Sequence, residues 1–362
     1  MATMVLLSGC GQSPEEDTES DVDLDVEIGQ MLMVGFRGFD VSDDHPVVRD
    51  VQDRLGGVVL FDYDVPSRRA VRNIESPAQV EVLVEGLKGF SAAPLLVALD
   101  HEGGLVTRLK EGYGFPPTVS HQYLGETNDL ARTREQASMM ARTLAELGIN
   151  LNLAPVVDLN TNRDNPAIAA YGRSFSADPD VVTEHALEFI RAHHEQGVLC
   201  TLKHFPGHGS STADSHRGLT DVTDTWSRIE LEPYRNVIEV GDAYAIMTAH
   251  VFNANLDPER PAILSKPTIT GILREELDYD GVVIFDDMQL GAIAQYYGLE
   301  TAIEAAIEAG VDILAFANNS VFVEDVAARA FSVIKRLVGD GRVSEERIRK
   351  SYGRIQRLKS RL

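Results

Sequence analysis

Fourteen residues, from Lys203-His204-Phe205-Pro206-Gly207-His208-Gly209 to Asp214-Ser215-His216, gather three imidazoles, an ammonium and a carboxylate. A carboxylate two residues from an imidazole can orient the ring and raise its basicity, which makes a general acid/base. The apolar run 198–202 just before reads as a buried strand, so the cluster sits at a strand end, where barrel enzymes assemble their sites. Four more clusters end similar runs. Asp100-His101-Glu102-Gly103-Gly104 is followed by Arg108. Asn152, Asp158, Asn160, Asn162 and Arg163 lead to Tyr171-Gly172-Arg173-Ser174-Phe175. Thr248-Ala249-His250 and Phe285-Asp286-Asp287-Met288 complete the set. One charged residue at a strand end is ordinarily a solvated loop or a cap. Five clusters on one barrel face are different, because burying so many charges is costly unless they pair. No glycine-rich phosphate loop or dinucleotide fingerprint accompanies them, and Asp, Arg, Lys and Asn together suit a hydroxyl-rich substrate, a sugar.

The elements that must hold these groups are legible as alternation. Short apolar runs at 31–36, 57–61, 95–99, 150–157, 198–202, 244–248, 282–285 and 313–316 read as strands covered on both faces. Amphipathic helices lie between them. Ser76-Pro77 is a cap with proline in the first turn, ahead of Val80, Leu83, Val84 and Leu87. Ala137, Met140, Ala141, Leu144 and Leu147 recur at helical spacing, and Gly148 is a natural stop. Eight strands with intervening helices predict an α/β fold, a single-domain (β/α)8 TIM-type barrel. A doubly wound open sheet would give the same alternation. The basic, helical stretch 340–362 reads as a closing helix, leaving nothing for a second domain.

The net charge of −23 excludes nucleic acid as a partner, since phosphates attract basic surfaces. Only Cys10 and Cys200 are present, so no disulfide framework is available. Cys200 lies in an apolar run and reads as a small buried hydrophobe. Residues 1–10 resemble the end of a bacterial lipoprotein signal, whose Leu-Ser-Gly-Cys box places the lipidated cysteine after the cut, at Cys10. That resemblance implies a start further upstream, membrane attachment through Cys10 and a place in the cell envelope; without it the chain would be cytoplasmic. From Ser13 to Glu27 there are eight acidic residues and no basic one, a composition that reads as a tether. The expected division is residues 1–25 as signal remnant and tether, and 26–362 as the catalytic barrel.

Taken together, Asp100-His-Glu-Gly-Gly with Arg108, Asn152 through Asp158, Gly172 through Phe175, the 203–209 segment with Asp214-Ser215-His216, and Val283 through Met288 resemble glycoside hydrolase family 3. They are most similar to its β-N-acetylglucosaminidase branch, over about residues 26–340. The resemblance implies a retaining exo-β-glycosidase that removes N-acetyl-β-glucosamine from non-reducing ends and needs no cofactor or metal. It implies Asp286 as nucleophile, His216 with Asp214 as acid/base, and Asp100, Arg108, Arg173, Lys203 and His204 as sugar-holding residues. His250 lies beside them by its strand-end position, and Asp287 reads as a hydrogen-bonding neighbour. The substrate would be an oligosaccharide or peptidoglycan fragment, and the single-domain form resembles monomeric relatives. This chain departs from the family at Leu105, where Arg is frequent, at Ser210-Ser211, where Asp-Thr is usual, and at Phe285, where Ser or Thr precedes the nucleophile.

Other readings fit parts of the pattern. A β-glucosidase, or a phosphorylase that passes the sugar to phosphate, would use the same residues. A zinc-dependent barrel hydrolase would take His204, His208 and His216 with Asp214 as ligands, although a Pro-Gly turn splits them. A sugar-binding protein without activity would not need Asp286, Asp214 and His216 together.

Overall fold

The computed structural model describes residues 22–69, 72–214, 218–290, 293 and 296–362. Its centre is a closed parallel barrel of eight strands: β1 Leu32–Gly35, β2 Gly57–Val59, β3 Leu96–Leu99, β4 Leu151–Asn152, β5 Leu199–Phe205, β6 Ala245–Thr248, β7 Val282–Phe285 and β8 Ile313–Phe316. Leu32 pairs with Leu314 to join the first strand to the last. That closure distinguishes the barrel from the open sheet that alternation alone allows. Every barrel-strand residue is buried, which is why the runs are continuously apolar rather than alternating.

All eight expected runs become barrel strands, with two differences at their ends. β4 is two residues long, because Pro155 cannot donate a ladder hydrogen bond. Side chains add bonds on the β3 side: Asn150 accepts from Val97 N–H at 2.7 Å and donates to Leu95 O at 2.9 Å, while Asn152 exchanges two bonds with His101. β5 runs on through Phe205, so Lys203 and His204 belong to the strand itself. The first helix, Leu24–Gln30, is capped by Asp23 and begins inside the acidic segment expected as tether. Cys200 is buried as expected, whereas Cys10 lies outside the described residues.

Helices pack outside the strands by the faces the spacing indicates. Val80, Leu83, Val84 and Leu87 are the buried residues of helix Pro77–Phe90, whose Ser76 cap accepts from Gln79 N–H. Ala137, Met140, Ala141 and Leu144, with Thr133, do the same for Leu130–Glu146. The closing helix, Glu345–Lys359, is tied to the barrel by Asp312 just before β8. That fully buried carboxylate accepts from Arg274 at 2.6 Å, Ser351 at 2.7 Å and Val283 N–H at 3.0 Å, with Arg354 and Arg347 at 3.4 and 3.6 Å. Removing one partner of such a cluster leaves the others as uncompensated buried charge. Asp312→Ala is expected to lower unfolding free energy by about 3–5 kcal/mol, read by denaturant titration; a change below about 1 kcal/mol would contradict this role.

Candidate active site

Above the C-terminal ends of the strands lies a cavity of about 400 Å³. Its floor includes Met33, Val59, Met247 and Ala315 from β1, β2, β6 and β8, and its walls carry the charge. Asp100, directly after β3, receives Lys203 Nζ on Oδ1 at 2.7 Å and Arg108 Nη2 on Oδ2 at 2.8 Å. Arg108 is brought back by the antiparallel hairpin His101–Gly103 with Val106–Thr107, and its N–H bonds to Asp100 O at 3.0 Å. The hairpin requires glycine at 103: φ is +104° there, and a Cβ would sit 2.3 Å from Val119 O.

Lys203 also reaches Glu102 at 2.7 Å, and Arg173 grips the same carboxylate through Nε at 2.8 Å and Nη2 at 2.7 Å. This is a buried fork-to-fork pair. Burial by itself would raise the Asp100 carboxyl, but Lys203 and Arg108 override it and hold the group well below the usual carboxylate range. Burial is likewise overridden at Glu102, where Arg173 and Lys203 bring the carboxyl down to about 2. In return the carboxylates raise Lys203 and Arg173 against the desolvation that would lower them. All four groups are therefore charged at neutral pH.

His204 continues the network. Its Nδ1 lies 2.7 Å from Asp158 Oδ2, and its Nε2 lies 3.2 Å from Arg173 Nη2. Asp158 also accepts His208 N–H at 2.7 Å, so one carboxylate fixes both the strand residue and the following turn. His208 is buried, which pushes its imidazole down to about 4 and leaves it neutral, with Nδ1 2.9 Å from Ser211 Oγ.

At the end of β7 the two aspartates separate by geometry. The Asp286 side chain is 29% exposed and lines the cavity. Asp287 lines it too but is only 7% exposed, and its Oδ1 accepts Ala317 N–H at 3.0 Å and Gln289 N–H at 3.1 Å, which fixes the loop after β8. His250 is buried beside Asp286, with Nε2 3.1 Å from its carbonyl oxygen and 3.9 Å from Oδ2. Asp214 lines the same cavity as Asp286.

The structure thus brings Asp286, Asp214, Asp100, Arg108, Arg173, Lys203 and His204 around one cavity and sets His250 behind it. His216 lies outside the described residues. Glu102, Asp158 and Asp62 were not singled out from sequence as site residues. Glu102 and Asp158 stand inside the quoted motifs, and their signal was a surplus of cations needing partners. Asp62 is nearly fully buried and pairs with Lys110, with Arg108 at 3.8 Å; it follows β2, whose end carried no cluster to flag it. The departures from the family pattern fall off the cavity: Leu105 is 73% exposed outside it, while Phe285, Ser210 and Ser211 are buried away from it.

Comparison with known proteins agrees with this geometry. The model of the Glycosyl hydrolase family 3 N terminal domain matches residues 23–358. A beta-hexosaminidase of Tolumonas auensis is 35% identical over 80% of this chain and 83% of its own. A solved family 3 beta-N-acetylglucosaminidase from Paenibacillus sp. superposes with a TM-score of 0.85 at 37% identity, over 93% of this chain and 62% of that one. This chain therefore spans less than two thirds of the Paenibacillus protein. A beta-N-acetylhexosaminidase from Beutenbergia cavernae gives 0.82 at 27% identity, over 94% of this chain and 99% of its own. The chain belongs to glycosyl hydrolase family 3 and is a glycoside hydrolase built on that family's N-terminal barrel domain.

Proposed function

We propose that this chain is a retaining exo-β-N-acetylglucosaminidase acting through a glycosyl-aspartate. The observation that carries the reading is that Asp286 and Asp214 line one cavity with the Asp100–Arg108–Lys203–Arg173–His204 network. Exo action fits a cavity floored by barrel side chains, on which one terminal sugar can rest. The network offers carboxylate acceptors and cationic donors to the hydroxyls of one terminal sugar. Asp286 attacks the anomeric carbon while His216, oriented by Asp214, protonates the leaving oxygen. The imidazole then takes a proton from water as the ester is hydrolysed. A histidine in that role avoids a second negative charge beside the nucleophile. The names of the relatives support N-acetylglucosamine as the sugar.

The zinc reading is disfavoured at His204; its third histidine, His216, lies outside the described residues. Both ring nitrogens of His204 are engaged, one by Asp158 and one by the Arg173 guanidinium. Envelope location belongs to the same proposal: a lipidated Cys10 would hold the barrel on an acidic tether. Expressed behind a complete signal sequence in a bacterial host that processes lipoproteins, the protein should incorporate labelled palmitate, and its Cys10→Ala variant should not. Equal incorporation in both, or none in either, would contradict the anchor.

Against a panel of p-nitrophenyl β-glycosides, turnover is expected on the N-acetylglucosaminide and far less on the glucoside. Asp286→Asn should lower kcat by more than about 10³-fold, and added phosphate should leave the parent rate unchanged. Preference for the glucoside, faster turnover with phosphate, or an active Asp286→Asn would each contradict the proposal.

A further inference from the structure

Glu230 lies outside the cavity, on the single turn Arg228–Leu231 that leads into helix Glu232–Val240, and is 1% exposed. Its Oε2 accepts Gly209 N–H at 3.0 Å, and a Cβ added to Gly207 would come 2.5 Å from the same oxygen. Asp158 takes the neighbouring amide, His208 N–H, at 2.7 Å. Asn165 Nδ2 donates to the His208 and Gly209 carbonyls at 2.8 and 3.0 Å. Gly209 is itself wedged, since a Cβ there would lie 1.7 Å from Leu159 O. Two carboxyl groups and a carboxamide therefore hold the turn 207–209, five residues before Asp214.

The two carboxyl groups differ in what offsets their burial. Asp158 has His204 against it. Glu230 has no ring nitrogen of that kind: what it faces is the Ser210 hydroxyl and the Gly209 and Ser210 amides, whose hydrogen bonds only partly offset its burial. The titratable groups it faces are Asp158 and Tyr234, with His208 in the turn it binds. Burial pushes the Glu230 carboxyl up to about 7, and the Asp158 charge adds to that effect. A neutral carboxyl accepts the Gly209 amide without placing a second negative charge beneath the turn.

We propose that Glu230 is a positioning residue for the proton-transfer segment, fixing the 207–209 turn so that Asp214 and His216 meet the leaving oxygen. This rests on the acid/base reading above and adds a residue that never touches the substrate. Its signature is leaving-group dependence, because a group acting through proton transfer matters only where the leaving oxygen needs a proton.

Values of kcat/KM for N,N′-diacetylchitobiose and for 2,4-dinitrophenyl N-acetyl-β-glucosaminide would be compared in the parent, Glu230→Ala, Glu230→Gln and His216→Ala. Glu230→Ala should lose about 10–100-fold on the disaccharide and about twofold or less on the aryl glycoside, a part of the usual general-acid contribution. Glu230→Gln, whose amide oxygen still accepts the Gly209 N–H, should stay within about threefold of the parent on both. Its rate should also fall less steeply above neutral pH. Equal losses on both substrates in a folded Glu230→Ala, or a Gln variant as impaired as Ala, would overturn the proposal. Should Glu230→Ala not fold, a Gln variant with the parental pH profile would overturn it alone. A His216→Ala variant insensitive to leaving group would instead remove the acid/base assignment on which this proposal stands.

Discussion

The site depends on one buried ammonium. Lys203, nearly inaccessible to solvent, stands 2.7 Å from both Asp100 and Glu102, and so joins the end of β5 to the end of β3 across β4. Each carboxylate shares it with an arginine, and it could not be buried charged without them. Arg108 completes Asp100, Arg173 completes Glu102, and Asp158 with His204 continues the chain toward the 207–209 turn. Replacing one member by a neutral group would leave several others unpaired at once. The network therefore sets the geometry of the cavity as well as its charge.

The same arrangement divides labour between neighbours in sequence. Both aspartates line the cavity, but Asp286 is the more exposed, whereas Asp287 Oδ1 is bonded to backbone and holds the loop after β8. Phe285 points the other way, into the core, where it meets His250 edge-on at 5.8 Å. Phe285 is the last residue of β7 and is buried away from the cavity, while the two aspartates follow it past the strand end and both line the cavity. For that reason Phe285 in place of the family's Ser or Thr does not alter the cavity surface. Leu105 is equally removed from it. These positions give no direct handle on which sugar is preferred.

Much of this was legible in the sequence, for physical reasons. Parallel strands buried on both faces leave continuous apolar runs, so all eight could be read, and the chemistry follows them at their ends. Strand limits were less legible. The 150–157 run looks like one strand, yet regular pairing stops before Pro155, and beyond it only the Val156 bridge to Lys203 remains. Lys203 and His204 looked like loop residues, because polarity marks a loop unless a partner such as Glu102 is known to be waiting. Partners of that kind are set by tertiary approach. Glu102 is separated by 71 residues from the arginine it holds, and Glu230 by 21 from the amide it holds.

The central claim, that Asp286 presents the attacking oxygen inside this cavity, is tested most directly by covalent labelling. A 5-fluoro N-acetylglucosaminyl fluoride slows hydrolysis of the intermediate, so the adduct accumulates and peptide mass spectrometry locates it. The account requires one sugar per chain, esterified on Asp286. A label on Asp287, Asp214 or Asp100, or an inactivated enzyme carrying no label, would contradict it.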